Sequence, residues 1–372
     1  MRGGAFAGAR VLLVGGYPPP HGGIAIHVAA LREELAQRGA RVEVLDVGGR
    51  PRKASGVTPA TGPASLGSAL VWRAAAGFLV HVHISGHTPK SWLVALACAL
   101  ARRPFGPSPL LTVHSGLLAS FLALGARRRA LVRSVAGAFA RVVAVSPHIA
   151  DHLARAGISR ARLCVAPAFT GAAKPGRPPL GLEALRTERR PLLTCSVAQS
   201  PIYGLRVLLA ALPAVARRLP RVGLAVFGQE DAERVRALAR RYRVEDRVEY
   251  LGPLEHAQAL AVIAVSDAFV RPALADGDAI SVREALALGV PVVASAVGTR
   301  PEGVLLFRNG DSLDLAAQLC ARLASPRGKA SSAASGLEPL LQIYREQLGG
   351  ALARPAAPEG RREGPCAASS GG

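Results

Sequence analysis

The chain is poor in the residues that would mark most other classes of protein. Of its 46 basic residues, lysine supplies only Lys53, Lys90, Lys174 and Lys329, so the net charge of +21 is carried by arginine. Aromatic residues make up 4% of the sequence, too few for the stacking platforms of a single-strand binder, and no nucleic-acid motif is present. Charge of this kind marks affinity for something anionic and nothing narrower. In a chain full of alanine, glycine and proline, the arginine excess reads as genomic composition. Cys98, Cys164, Cys195, Cys320 and Cys366 are scattered and lack metal spacing, which predicts reduced thiols in a cytoplasmic protein. No apolar run reaches the length of a membrane span. Residues 92–100 are apolar but short and end at Arg102-Arg103, and the first apolar run has the pattern of a strand and helix rather than a signal peptide.

What is present is a regular alternation. Residues 11–14 form a short apolar run that predicts a buried strand, followed by the turn-rich loop GGYPPPHGG at 15–23. Over residues 24–38, Ile24, Val28, Leu31 and Leu35 recur at helical spacing and Gly39 supplies the stop. A second strand is predicted at 42–47. Strand, glycine loop, helix and strand make half of a nucleotide fold, and Gly22 and Gly23 permit close approach of a ligand to the backbone. The spacing is not G-x-G-x-x-G, which argues against a nicotinamide dinucleotide. Further strands are predicted at 78–84, 110–113, 142–145, 163–166, 192–196, 223–227, 248–251, 268–271 and 290–294. This rhythm predicts an α/β protein with parallel sheets. With 372 residues and 50% hydrophobic content there is chain for two domains. They are expected at 1–170 and 180–330, with the linker TGAAKPGRPP at 170–179 between them, a further helix near 337–352 and a disordered tail over 353–372.

The densest chemistry lies in RPALADGDAISVREALALGVPVVASAVG. Asp276 is expected on a loop and Glu284 in the first turn of the helix that follows, where free amides favour anionic oxygens. Such a pair can grip sugar hydroxyls at one end and a diphosphate at the other. The same residues also fit a capping box, with Ser281 as the cap and Glu284 reaching back to it.

Histidines gather at His81, His83, His87 and His114. His81 and His83 share one face of a strand and could bind metal, but no Asp, Glu or Cys stands near them in sequence to complete a site, and no metal is expected. His114 ends a predicted strand and opens a glycine turn, so it faces a cleft or caps the turn. Arg127, Arg128, Arg129 and Arg133 follow the apolar stretch LLASFLAL at 117–124. That pattern fits an element lying on an anionic membrane surface, and equally a core helix with a solvated basic end.

The 276–298 segment resembles the retaining glycosyltransferases of family 4, which have GT-B architecture and carry Glu, seven intervening residues and Glu. Here Asp276 stands first and Glu284 second, and GVPVVAS at 289–295 with Val297-Gly298 completes the likeness. Pro19-Pro20-His21-Gly22-Gly23 is similar to the family's Pro-x-x-Gly-Gly loop at the reaction centre. The resemblance implies two Rossmann-like parallel-sheet domains facing a cleft, with the last helix crossing back onto the first domain. It implies a nucleotide sugar as co-substrate, no metal, and a glycan or lipid-linked acceptor. Glu284 would hold the ribose and Asp276 the sugar hydroxyls, and the segment Gly277, Asp278, Ala279, Ile280 and Arg283 would line the diphosphate. His114, Gly22 and Gly23 would face the transferred sugar.

The departures matter as much. The family carries an Arg after the first strand of the second domain and a Lys before a glycine, both on the diphosphate. This chain reads CSVAQSPIYGLRVLLAAL, with Tyr203 at the Lys position and no Arg between Cys195 and Gly204. Arg206, Arg271, Arg283 and Arg300 are candidate replacements, Arg271 foremost. The family's Asn-Gly after the last strand of the first domain is replaced by Ala166-Pro167-Ala168-Phe169. Two other functions stay open on these residues: a sugar-nucleotide epimerase of the same architecture, and a membrane-associated scaffold with a degenerate donor site.

Overall fold

A computed structural model describes residues 5–48, 55–101, 107–171, 173–324 and 336–352. The tail expected over 353–372 lies outside them. The first half runs β1 (Arg10–Gly15), α1 (Gly23–Gln37), β2 (Arg41–Asp46), β3 (Val57–Pro59), α2 (Pro63–Ala75), β4 (Leu79–Ile84), α3 (Pro89–Leu100), β5 (Leu110–Val113), α4 (Leu118–Ala123), α5 (Ala126–Ala136), β6 (Arg141–Ala144), α6 (Pro147–Arg155) and β7 (Leu163–Val165). The second runs α7 (Leu182–Glu188), β8 (Leu192–Ala198), α8 (Leu205–Arg218), β9 (Gly223–Gln229), α9 (Ala232–Arg241), β10 (Val248–Tyr250), α10 (His256–Val265), β11 (Ala268–Arg271), α11 (Ile280–Ala287), β12 (Val292–Ser295), β13 (Val304–Phe307) and α12 (Ser312–Ala324). A last helix, α13 (Leu337–Leu352), follows.

Two parallel sheets result, of seven strands in the order β3-β2-β1-β4-β5-β6-β7 and six in the order β10-β9-β8-β11-β12-β13. Each order reverses once, between β1 and β4 and between β8 and β11, and ligands of open α/β sheets bind outside the carboxyl ends of strands at such reversals. The strands are apolar on both faces because helices cover both faces. Val28, Leu31 and Leu35 of α1 recur at spacings of three and four and are fully buried against one face of the first sheet. Each contributes about 1.5–3 kcal/mol by burial, and Leu31→Ala would cost about 2–5 kcal/mol. Gly39, at φ +92°, ends that helix turn.

Helix α13 adds Leu340, Leu341, Tyr344 and Leu348 to the same core cluster as Val28, Leu31 and Leu35 of α1, so the last described element helps close the core of the first sheet. Tyr344 is fully buried and its hydroxyl lies 2.6 Å from His81 Nδ1. Residues 173–179, within the expected linker, form neither helix nor strand, and Gly176 donates its amide to Ala257 O at 2.8 Å.

The helix of the central segment differs from expectation. It starts at Ile280 with Ala279 as cap and no side-chain cap, so Ser281 lies inside it and the capping box does not form. Glu284 is then in the second turn. Its carboxylate is drawn instead to His256, which removes the partner a capping box would need. The stretch 117–124 is also more buried than a membrane-lying element would be: Leu118, Phe121 and Leu122 pack into the core, and Leu124 is left 71% exposed.

Candidate active site

The residues singled out in sequence fall at the carboxyl ends of the strands. The 15–23 loop follows β1, His114 follows β5, Arg271 ends β11, and α11 begins after the loop 272–279. The two halves touch here at backbone distance. A Cβ on Gly116 would lie 2.0 Å from Asp276 O, and one on Gly277 would lie 2.1 Å from His114 O. Both positions therefore need glycine. A second tie is Asp278 Oδ2, which accepts the Ala168 amide at 2.8 Å from the chain leaving the first sheet. That contact falls within the stretch 166–169 that departs from the family pattern.

Carboxylates and guanidiniums interlock around the loop. Asp278 takes both Nε and Nη2 of Arg283, at 2.9 and 2.8 Å, and both side chains are buried. Burial pushes the Asp278 carboxyl up despite Arg283. Asp276 Oδ2 accepts Arg271 Nε at 3.0 Å and Arg300 Nη1 at 3.1 Å, and its Oδ1 accepts the Gly277 amide at 3.1 Å. Burial would raise the Asp276 carboxyl, but the two guanidiniums outweigh it and hold it below the usual range. With three of about four acceptor positions used, Asp276 has little capacity left for sugar hydroxyls.

Glu284, 4% exposed, meets His256 Nε2 at 2.6 Å through Oε1. That hydrogen bond raises the His256 pKa. His21 of the first glycine loop stacks on His256 at 6.3 Å between ring centroids and approaches Glu255 at 3.5 Å, so the 15–23 loop reaches across to α10. Ala279 and Ile280 are buried at the start of α11, where the first amides of a helix have no acceptor within it. Nothing local in the sequence joins His256 to Glu284, 28 positions apart.

A histidine cluster lies on the other side of the contact. His83 Nδ1 is 3.2 Å from His114 Nε2, and His27 of α1, unnoticed in sequence because it reads as one more helix residue, completes the group. Among the described residues, one ring nitrogen from each of His27, His83 and His114 lies within 4.8 Å of the others, close enough to suggest a metal. The Phe169 amide, however, donates to His27 Nδ1 at 3.4 Å. The proton of neutral His27 is then on Nε2, which cannot also be a lone-pair ligand. Metal-bound histidines show the reverse arrangement, with the second N–H donating outward. His81, which the sequence pairs with His83, has both nitrogens engaged, by the Tyr344 hydroxyl at 2.6 Å and Thr112 Oγ1 at 2.7 Å. Burial holds all four imidazoles neutral, lowering His27 to about 4 and His81 to about 3.

Two family models match this architecture half by half. Residues 21–170 match the one described as Glycosyltransferase Family 4, and residues 189–325 the one described as Glycosyl transferases group 1. The chain belongs to the family 4-like glycosyltransferases, with two parallel-sheet domains of GT-B type. It is 31% identical over 163 residues to a GDP-mannose-dependent monoacylated alpha-(1-6)-phosphatidylinositol monomannoside mannosyltransferase of Corynebacterium glutamicum, a match over 40% of this chain and 42% of that protein. It is 32% identical over 158 residues to a GDP-mannose-dependent alpha-(1-6)-phosphatidylinositol monomannoside mannosyltransferase of Mycobacterium tuberculosis, over 39% of this chain and 41% of that one. The chain thus spans less than half the length of the curated relatives it matches. In fold it is similar to sucrose-phosphate synthase of Thermosynechococcus elongatus, with TM-score 0.71 at 22% identity over 92% of this chain and 100% of that one. HepE of Anabaena in complex with UDP-glucose gives TM-score 0.67 at 18% identity, over 92% and 98%.

Proposed function

We propose that this chain transfers a sugar from a nucleotide-diphosphate donor to a lipid-linked or glycan acceptor, with retention of anomeric configuration. The observation that carries this reading is the meeting of the two halves at the carboxyl ends of their strands, where the Asp276–Gly277 backbone packs on His114 and Gly116 just before α11, the helix that carries Glu284. Breaking the bond to the nucleotide creates an oxocarbenium-like carbon and a departing anion, so catalysis needs donors on the phosphate and a placed acceptor. Glu284, oriented by His256, takes the ribose hydroxyls. The amides of Ala279 and Ile280 take phosphate oxygens, and the Gly277–Asp278 backbone borders them. Asp276 offers its remaining lone pair to the sugar. His114 and Gly22-Gly23 border the sugar and acceptor, and the leaving phosphate helps deprotonate the incoming hydroxyl. No metal is assigned a role.

A lipid acceptor is favoured because relatives named for phosphatidylinositol monomannoside match. The first domain also offers a basic end: Arg127, Arg129 and Arg133 of α5 are exposed, as is Leu124, and Arg128 lies over the Phe121 ring at 4.9 Å. These four arginines suit an anionic membrane face, which fits a cytoplasmic enzyme peripheral to the inner leaflet in glycolipid or polysaccharide synthesis. Among the described residues no helix is long and apolar enough to cross a membrane. The test is transfer of labelled sugar from GDP-mannose, and in a second arm UDP-N-acetylglucosamine, to lipid in phosphatidylinositol vesicles. Labelled lipid lost in Glu284→Ala supports the proposal. Donor isomerised without acceptor would indicate an epimerase instead, and intact donor in every arm would contradict it.

A further inference from the structure

We infer that Arg271 and Arg300, set in register by Asp276, form the diphosphate cradle of the donor site and replace the two cations that the sequence lacks. This rests on the nucleotide-sugar reading above and names the groups that make it workable.

Four arginines compete for this role, and geometry separates them. Arg206 is exposed, with its Nε on the Tyr242 hydroxyl at 3.3 Å. Arg283 is held by Asp278 in a buried ion pair through Nε and Nη2. Arg271 is placed differently: its guanidinium lies 4.7 Å from the ring centroid of Tyr203, the residue standing where the family carries its lysine. The aromatic face supports a planar cation and directs it along the ring. Position 203 is held close to β11, because the next residue is Gly204 at φ +72°, where a Cβ would lie 1.8 Å from Pro272 O. A charge lost from one strand's loop is thus returned from the neighbouring strand.

Arg300 arrives from the loop after β12. Its Nε donates to Ser295 O at 3.1 Å and its Nη1 to Asp276 Oδ2 at 3.1 Å. Its Nη2 is buried without a hydrogen-bond partner among the described residues, on a side chain only 5% exposed. The loop that carries it is fixed to the donor loop: Thr299 donates its amide to Gly277 O at 2.8 Å, and Gly298, at φ +65°, packs on the carbonyls of Asp276 and Gly277. Two guanidiniums share one carboxylate, which leaves one positive charge uncompensated in a region removed from water. A buried excess charge with an orphan N–H is costly unless an anion answers it. A bridging diphosphate supplies both the charge and the acceptor, and Arg forks suit phosphate oxygens. In this arrangement Asp276 is chiefly a positioning residue for the two cations.

The experiment is calorimetric titration of GDP, UDP and the corresponding nucleosides into the wild type, Arg271→Gln, Arg300→Gln and Arg300→Lys. Arg206→Gln serves as a control and thermal melts verify folding. The cradle predicts that Arg300→Gln weakens the preferred diphosphate about ten- to hundredfold while nucleoside affinity stays unchanged, with partial recovery in Arg300→Lys. A merely structural arginine would weaken both ligands together. If Arg300→Gln does not fold, the wild type and Arg300→Lys are compared with inorganic pyrophosphate, which should raise the melting temperature of the wild type more. Equal diphosphate binding in wild type, Arg271→Gln and Arg300→Gln would overturn the cradle and leave the transferase reading standing. A folded wild type that binds no nucleoside diphosphate would overturn both.

Discussion

His256 Nε2 lies 2.6 Å from Glu284 Oε1 and joins the start of α10 to the middle of α11. The bond raises the histidine pKa, so its stabilisation is fully present below the unfolded value near 6.5 and is lost as pH rises through the higher folded value. Because the His256 side chain is 33% exposed, His256→Ala should cost about 1 kcal/mol at pH 6, less than a fully buried charge-assisted bond. Urea unfolding of wild type and variant at pH 6 and pH 9 checks this. A difference that grows toward pH 9 would contradict the assignment.

The contact between Gly116 and Asp276 gives a prediction about closure. A Cβ at Gly116 would sit 2.0 Å from Asp276 O, so Gly116→Ala must separate the two halves at the reaction centre. On the proposed reading the nucleotide is held by the second half, so donor affinity should fall less than the transfer rate. The transfer rate should fall by about a hundredfold, the scale of an ångström-level misplacement. Steady-state kinetics with donor titration separates the two, and an unchanged kcat would show that the contact is dispensable.

The buried histidines predict acid sensitivity. Folded pKa values depressed to about 4 for His27 and about 3 for His81 mean that the unfolded chain binds more protons below pH 6.5. Stability is therefore complete above that value and falls as pH drops toward 4, by up to about 1.4 kcal/mol per pH unit for each histidine. Unfolding midpoints at pH 7, 6 and 5 should decline steadily. A flat profile would mean that these imidazoles take up protons as readily in the native protein as in the unfolded chain.

Much of the frame was legible in the sequence. Short apolar runs such as 110–113 and 268–271 became β5 and β11 at those bounds, because buried parallel strands need continuous apolar residues and glycine or proline at their ends. The strands missed, β3 and β13, are edge strands. β3, Val57-Thr58-Pro59, pairs on one side only and is too short and too polar to carry the buried apolar signature, whereas β13 does carry one in the run VLLF at 304–307. Ser281-Val282-Arg283-Glu284 satisfied a local capping rule that tertiary contacts overrode, since Glu284 gains more from His256. What could not be read is convergence: Arg300 reaching Asp276 from 24 positions away, or Ala168 reaching Asp278 from 110. Those meetings depend on strand order, and no short-range pattern encodes it.

The Asp278–Arg283 pair yields a double-mutant test. Both side chains are buried, so Asp278→Ala should destabilise by about 3–5 kcal/mol by stranding the Arg283 charge and freeing the Ala168 amide. Adding Arg283→Met should restore part of that loss, because the stranded charge is then gone. Denaturant unfolding of the singles and the double measures the coupling. Simple additivity would mean that the pair is not the coupled unit its geometry describes.

The most direct test of the central claim is calorimetric titration of the purified chain with uridine, guanosine and adenosine diphosphate sugars, repeated with Glu284→Ala. The donor-site account predicts that one base is bound and that the substitution abolishes or strongly weakens that binding. A folded protein that binds none of the panel, or binds a donor equally well without Glu284, would contradict it.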